Sequence, residues 1–363
     1  MIGEPGVVDT DGSTAAHGSR RALRVGVIGA GFFSQFHLEG WQTLTDAEVV
    51  AICDRDIVRA QTLAHRFRCA RAGDVQAMFA EQALDLIDIV TGPDTHADLV
   101  LHAHGQGVPV ICQKPFAGGL QGARALCDRL DPLGPAVVVH ENFRFSPWYR
   151  EIATWIRDGR LGRLHGISFR LRPGDGQGAD AYLARQAYFQ RMPRFLIHET
   201  AVHFVDTFRF LFGEVRRVGA YLRRRNPVIA GEDAGIVVFE FDDDRLGVFD
   251  GNRLNEHPAK DLRRTMGECW VEGEAGVLRL DGDARLHFKP HGQPETELDY
   301  DRGADTFAGG ACGRLQAHVI AHLREAGPLE NTAHAYLRNL EVVEAIYASA
   351  ASRAMVSLPA PCQ

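Results

Sequence analysis

The chain has 363 residues, 45% of them hydrophobic and 24% charged, so two domains, or three, are expected, with a core large enough to need no disulfide or metal staple. A formal net charge of −7 argues against a nucleic-acid partner, which calls for a basic excess. Arg223-Arg224-Arg225 and Arg263-Arg264 are too short to change this and read as solvated charge.

Residues 1–22, rich in Gly, Asp, Ser and Thr, have no apolar stretch of the signal-peptide kind and read as a disordered leader. No run of about 18 apolar residues follows, so no membrane span or membrane partner is expected. Seven cysteines stand at 53, 69, 112, 127, 269, 312 and 362, an odd number with no Cys-x-x-Cys pair. They read as reduced core thiols of a cytoplasmic protein.

From Leu23 to about His140, short apolar runs alternate with helical stretches. The runs are Leu23–Ile28, Val49–Cys53, Leu86–Val90, Pro109–Cys112 and Ala136–His140, with amphipathic segments such as Arg59–Phe67 and Gly119–Leu130 between them. Near-continuous apolar strands alternating with helices predict a doubly wound parallel sheet over 23–142. The texture then changes. Pro147–Arg157 reads as a helix, Leu164–Leu171 as a strand, Pro173–Gly178 as a Gly-rich loop, and His198–Leu211 as a helix stopped by Gly213. Strands follow at Ile236–Phe241, Leu246–Asp250, Cys269–Glu272 and Val277–Leu280, the first two joined by a turn at Asp242-Asp243-Asp244. Helices over Phe307–Glu325 and Thr332–Ala350 close the chain. Residues 143–363 therefore read as an α+β domain on a mostly antiparallel open sheet.

The first strand runs into Gly29-Ala30-Gly31-Phe32-Phe33-Ser34 and then a helix. Gly29 permits the tight turn, and Gly31 lets the backbone approach a pyrophosphate, which rests on the helix N-terminus beside Phe32 and Phe33. In this strand–turn–helix context the pattern predicts a Rossmann dinucleotide site. Asp54, at the end of the second strand, suits a ribose diol; its alternative is capping the helix that starts near Asp56. An acid there favours NAD, while the adjacent Arg55 keeps NADP admissible. The loop Thr91-Gly92-Pro93-Asp94-Thr95-His96 follows the next strand and would line the ligand crevice. Thr95 or Asp94 as a helix cap is the plainer reading of that loop. Gln113-Lys114-Pro115 ends the strand after that. A Lys at such a strand end can donate to a substrate oxygen or assist a proton transfer.

These motifs, with His37, Asn142-Phe143-Arg144-Phe145, Glu199-x-x-x-His203, Asp206, Glu344-Ala345-Ile346-Tyr347 and Ser349, resemble the Gfo/Idh/MocA family of NAD(P)-dependent oxidoreductases from about Leu23 to Leu358. The resemblance implies that Lys114 is the catalytic lysine, with Gln113 where the family usually has Glu. It implies that His203 accepts the proton. It places Glu199 where the family usually has Asp, with a part in catalysis and substrate binding. Thr91, Pro93, His96, Lys114 and Asn142 join Gly29, Gly31, Phe32, Phe33, Asp54 and Arg55 as cofactor-binding candidates. Arg144, Tyr188, Arg194 and His198 join Glu199 and His203 as substrate-binding candidates, Arg144 having a structural alternative.

Four residues apart on a helix, Glu199 and His203 share one face. Alone in an apolar helix His203 reads as a core residue; the carboxylate one turn before it and the Lys site turn the reading to chemistry. His102-x-His104 diverges on a helix, and His318 with His322 lacks a third ligand, so no metal is expected. The implied activity is hydride transfer between nicotinamide and a hydroxyl or carbonyl carbon of a sugar, sugar derivative or cyclitol, by a homodimer or homotetramer. The alternatives are a non-catalytic dinucleotide sensor of the same fold and a reductase of an imine or a double bond.

Overall fold

The computed structural model describes residues 21–360; most of the expected leader, and Cys362, lie outside them. Six parallel strands form the first sheet: β1 (Leu23–Ile28), β2 (Ala47–Cys53), β3 (Ala70–Arg71), β4 (Leu86–Ile89), β5 (Val110–Gln113) and β6 (Val137–His140), in the order β3-β2-β1-β4-β5-β6. Helices α1 (Ser34–Gln42), α2 (Ile57–Phe67), α3 (Val75–Glu81), α4 (His96–Gly105) and α5 (Leu120–Cys127) connect them. Successive strand residues face opposite ways. Val25, Val27, Ile111 and Val138 therefore pack with Leu38 and Trp41 of α1, whereas Ile87, Ile89, Val110 and Val139 pack with Val100 of α4 and Leu126 of α5. Burial on both faces is why these strands are near-continuously apolar. The strand order reverses between β1 and β4, which opens a crevice at their carboxyl ends.

The second sheet has nine strands: β7 (Leu164–Leu171), β8 (Arg217–Arg223), β9 (Ala234–Glu240), β10 (Leu246–Asn252), β11 (Gly267–Gly273), β12 (Gly276–Leu280), β13 (Leu286–Pro290), β14 (Thr296–Glu297) and β15 (Val356–Ser357). All its pairs are antiparallel except β7 with β10. One row across it, Val237, Phe249, Phe169 and Cys269, is fully buried; the next, Val238, Val248, Ser168 and Trp270, is half-buried on the opposite face. Phe204 stacks on Phe169 at 3.9 Å between ring centroids, so the inner face is closed by α7 (Val202–Phe212), the helix that carries His203. Before α7 the chain makes a π-helical turn, Leu196–Ala201, where a continuous α-helix is expected from the sequence.

Helices α6 (Pro147–Arg157), α8 (Leu262–Thr265), α9 (Ala311–Glu325) and α10 (Ala333–Ser352) complete the chain. Chain order assigns α9 to the second unit, yet it packs on the first. Leu315, Val319 and Ile320 join the core of Val25 and Val27. The crossing with α1 is close: a Cβ on Gly40 would lie 2.9 Å from the Gly313 backbone nitrogen. Among the described residues six cysteines are free, five of them buried, and no helix is long and apolar enough to cross a membrane.

Candidate active site

A cavity of about 710 Å³ lies where the carboxyl ends of β1, β4 and β5 meet the loops of the second sheet. Its first wall is the turn after β1. Gly29 has φ +112°, and a Cβ there would stand 2.7 Å from the Val90 carbonyl group, so only glycine fits without strain. Nothing lies within 4 Å of a Cβ built on Gly31. Gly31, Phe32 and Phe33 line the cavity, and the open space above Gly31 is the room a pyrophosphate needs. Asp56, not Asp54, caps α2 by accepting from Val58 and Arg59 amides. Asp54 instead accepts from the Ala30 amide at 2.6 Å and the Asp56 amide at 2.7 Å, so its carboxylate abuts the glycine turn. Arg55 is exposed. These residues fit a dinucleotide.

Thr91, Pro93 and Asn142 also line the cavity. His96 does not. It is buried, with ring nitrogens 3.1 Å from the Thr91 and Pro115 carbonyls, and burial pushes its pKa down. It ties the loop after β4 to the loop after β5, a structural role in place of the expected cofactor contact.

Lys114, at the end of β5, is almost enclosed. Its Nζ donates to the Glu199 carbonyl at 2.7 Å and to Glu199 Oε1 at 2.8 Å. Glu199 Oε2 faces the Arg253 guanidinium at 3.3 Å and accepts from the Thr200 hydroxyl. Burial alone would raise the Glu199 pKa, but the charges of Lys114 and Arg253 outweigh it and hold the carboxyl well below the usual range. Arg253 is buried and also grips Asp175, through Nε at 3.1 Å and Nη2 at 2.7 Å.

His203 lines the same cavity, but Glu199 is not its partner. Its Nδ1 is hydrogen-bonded to Glu141, a fully buried carboxylate that also accepts from the Tyr336 hydroxyl at 3.2 Å. The imidazole lies flat on Phe143, 4.1 Å between centroids. A carboxylate at Nδ1 selects the Nδ1–H tautomer and leaves the Nε2 lone pair for another group. Glu199 and His203 line one cavity, as a shared helix face predicts, but they do not pair with each other. Two cations from distant strands draw Glu199, while His203 is already engaged by Glu141.

Beneath Lys114 lies a buried chain. The Lys114 amide donates to Gln113 Oε1 at 2.6 Å, and Gln113 Nε2 donates to His37 Nε2 at 3.2 Å. His37 Nδ1 is 2.9 Å from Asp88, which also accepts from Trp41 at 2.7 Å. A neutral amide at 113 can donate to His37 while accepting from Lys114, which an ionised Glu cannot do.

Tyr188 and His198 line the cavity; burial, then the charges of Lys114 and Arg194, lowers the pKa of His198. Two expected substrate ligands lie elsewhere. Arg144 is clamped by Asp206, with Nε and Nη2 each at 2.7 Å, and by Glu330 at 3.2 Å. Arg194 is exposed, paired with Glu344 at 2.6 Å and stacked over Tyr347. Both find acids that no local spacing reveals. His318 accepts from the Glu330 amide and His322 lies 2.6 Å from the Gly327 carbonyl; no group of three or more metal-ligating side chains occurs among the described residues. Sequence reasoning missed Glu141, Asp175 and Arg253. Only Glu141 had a signal, its place at the end of β6 beside Asn142.

Residues 23–141 match the model of the Gfo/Idh/MocA oxidoreductase family with an NAD-binding Rossmann fold, and residues 149–279 match that family's C-terminal domain. The chain is 33% identical over 341 residues to D-apiose dehydrogenase of Paraburkholderia graminis, covering 92% of this chain and 88% of that protein. It is 29% identical over 347 residues to D-apiose dehydrogenase of Rhizobium rhizogenes, covering 93% and 98%. Among solved structures, an oxidoreductase from Agrobacterium radiobacter in complex with NAD+, L-tartaric acid and magnesium superposes with a TM-score of 0.82 at 28% identity, covering 92% of this chain and 98% of that one. The protein belongs to the Gfo/Idh/MocA oxidoreductase family.

Proposed function

We propose that the protein is a dehydrogenase that uses NAD in preference to NADP to oxidise a hydroxyl carbon of a small polyhydroxylated substrate, a sugar or cyclitol. One observation carries this reading: Lys114 and His203, each held by its own carboxylate, open onto the cavity that begins at the glycine turn. A bound nicotinamide supplies the hydride acceptor. His203 Nε2 takes the hydroxyl proton, and Glu141 holds the ring and stabilises the imidazolium that forms. Two of the three Lys114 N–H donors are engaged by Glu199, and the third serves the substrate oxygen. Glu199 positions Lys114. His198 and Tyr188 form the outer substrate wall.

Asp54 beside the glycine turn supports NAD, since a carboxylate there accepts from a ribose 2′-hydroxyl and repels a 2′-phosphate. The names of the two D-apiose dehydrogenases make a free pentose the first substrate to try. The open face of the second sheet, with Tyr221 and Ile236 exposed on it, suits a homodimer or homotetramer, and the free thiols suit the cytoplasm. The test is nicotinamide absorbance with NAD and with NADP over a panel of pentoses, hexoses and inositols. NAD-dependent turnover of at least one polyol is expected. NADH binding without turnover of any panel member favours the sensor reading, and a preference for NADP overturns the role given to Asp54.

A further inference from the structure

We propose that Arg263, from the second sheet's side of the cavity, binds the pyrophosphate of the dinucleotide seated at Gly29–Phe33. The inference rests on the cofactor reading above. Arg263 lies in α8, half-buried, and lines the same cavity as Gly31 and Phe32. Its guanidinium carbon is 6.0 Å from the Phe32 ring centroid, 5.8 Å from that of Phe36 and 5.7 Å from that of Phe307. Phe32 directly follows Gly31, so the cation and the open glycine flank the same end of the cavity.

Every other cation lining the cavity is already matched by an acid: Lys114 by Glu199, Arg253 by Asp175 and Glu199, and Arg185 by Asp175. Among the described residues Arg263 has no carboxylate within 4.0 Å, whereas the adjacent Arg264 is paired with Asp305. Burial disfavours the Arg263 cation, and so does the charge of Arg185; the carboxylates of Asp261 and Asp175, both beyond 4.0 Å of the guanidinium, offset this only in part. The aromatic rings offset only part of that cost. A diphosphate in the cavity would supply the missing counter-charge, and the planar fork of Arg suits its oxygens. Because α8 belongs to the second sheet and the glycine turn to the first, the two would hold the cofactor from opposite sides.

Calorimetric titration without substrate tests this on the full-length protein and its Arg263→Gln and Arg263→Lys variants, with NADH, ADP and adenosine as ligands. Arg263→Gln is expected to weaken NADH and ADP about tenfold, the equivalent of one lost charge-assisted hydrogen bond, and to leave adenosine unchanged. Arg263→Lys keeps the charge but not the fork and should fall between. Parental affinity of Arg263→Gln for NADH and ADP overturns the proposal. So does unchanged NADH affinity with a raised KM for substrate, which would place the anion on the substrate. Should Arg263→Gln fail to fold, Arg263→Lys is read the same way: weaker ADP supports the proposal and parental ADP overturns it. Failure of the unsubstituted protein to bind NADH overturns the cofactor reading itself.

Discussion

Two carboxylates serve one cavity in different ways. Glu199 sits between two cations, Lys114 and Arg253, and also accepts from the Thr200 hydroxyl. Glu141 lies deeper, fully buried, and meets one imidazole and one phenol. The first arrangement fixes a lysine by charge. The second sets a tautomer and leaves one nitrogen free to exchange a proton. Glu199 and His203 are four residues apart in sequence, yet each belongs to a different arrangement. Spacing along a helix decides which side chains share a face, and charges from elsewhere in the fold decide which of them bond.

The largest effects are expected at Lys114 and His203, the two groups proposed to meet the substrate. His203→Ala and Lys114→Met are each expected to lower turnover by about 10²–10⁴-fold, the range for a positioned acid or base, with NADH affinity kept. Steady-state rates beside NADH titrations check this; loss of NADH binding in step with turnover would make both residues structural.

Arg144→Ala separates scaffold from site. Removing one partner of a buried ion pair costs about 3–5 kcal/mol, so a lower denaturation midpoint is expected, with KM near the parental value in the protein that stays folded. A raised KM would return Arg144 to the substrate list.

Glu199→Gln tests the charge-fixed arrangement through pH. The Glu199 pKa is held low in the folded state. Its stabilisation is therefore full above the unfolded value of about 4.3 and is lost as pH falls through the lowered folded value. The variant should be less stable by about 3 kcal/mol near neutrality, with the gap to the parent closing as the pH falls below about 4. Urea denaturation at several pH values measures it, and a gap that stays constant would contradict the ion-pair account. Arg194→Ala has the smallest expected effect, within about 1 kcal/mol in stability and none on KM.

Much of the first half was legible because its physics is local. Strands buried on both faces must be apolar throughout, and a turn with φ near +112° at a strand end must be glycine. Lys114 and His203 were legible through their motifs. Glu199 and Asp206 were legible in the same way, but their pairings were not, because the partners lie far apart along the chain: Glu199 is 85 residues from Lys114, and Asp206 is 62 from Arg144. Glu141 sits in His140-Glu141-Asn142, a polar cluster whose complete burial leaves no mark on the sequence. β8, bounded by Arg217 and Arg223, spaces its inward Val218, Ala220 and Leu222 with other residues and so forms no continuous apolar run.

In the proposed reaction His203, oriented by Glu141, accepts the substrate proton. Single-turnover formation of NADH by Glu141→Gln, with NAD and the best substrate of the panel saturating, tests it most directly. A Gln amide at 141 can donate to Nδ1 as well as accept, so the ring loses its preference for the productive tautomer. A fall approaching about 10⁴-fold is expected, the size found where an amide replaces the carboxylate behind a catalytic imidazole and favours the wrong tautomer, with NADH affinity unchanged. A parental single-turnover rate in Glu141→Gln would contradict it.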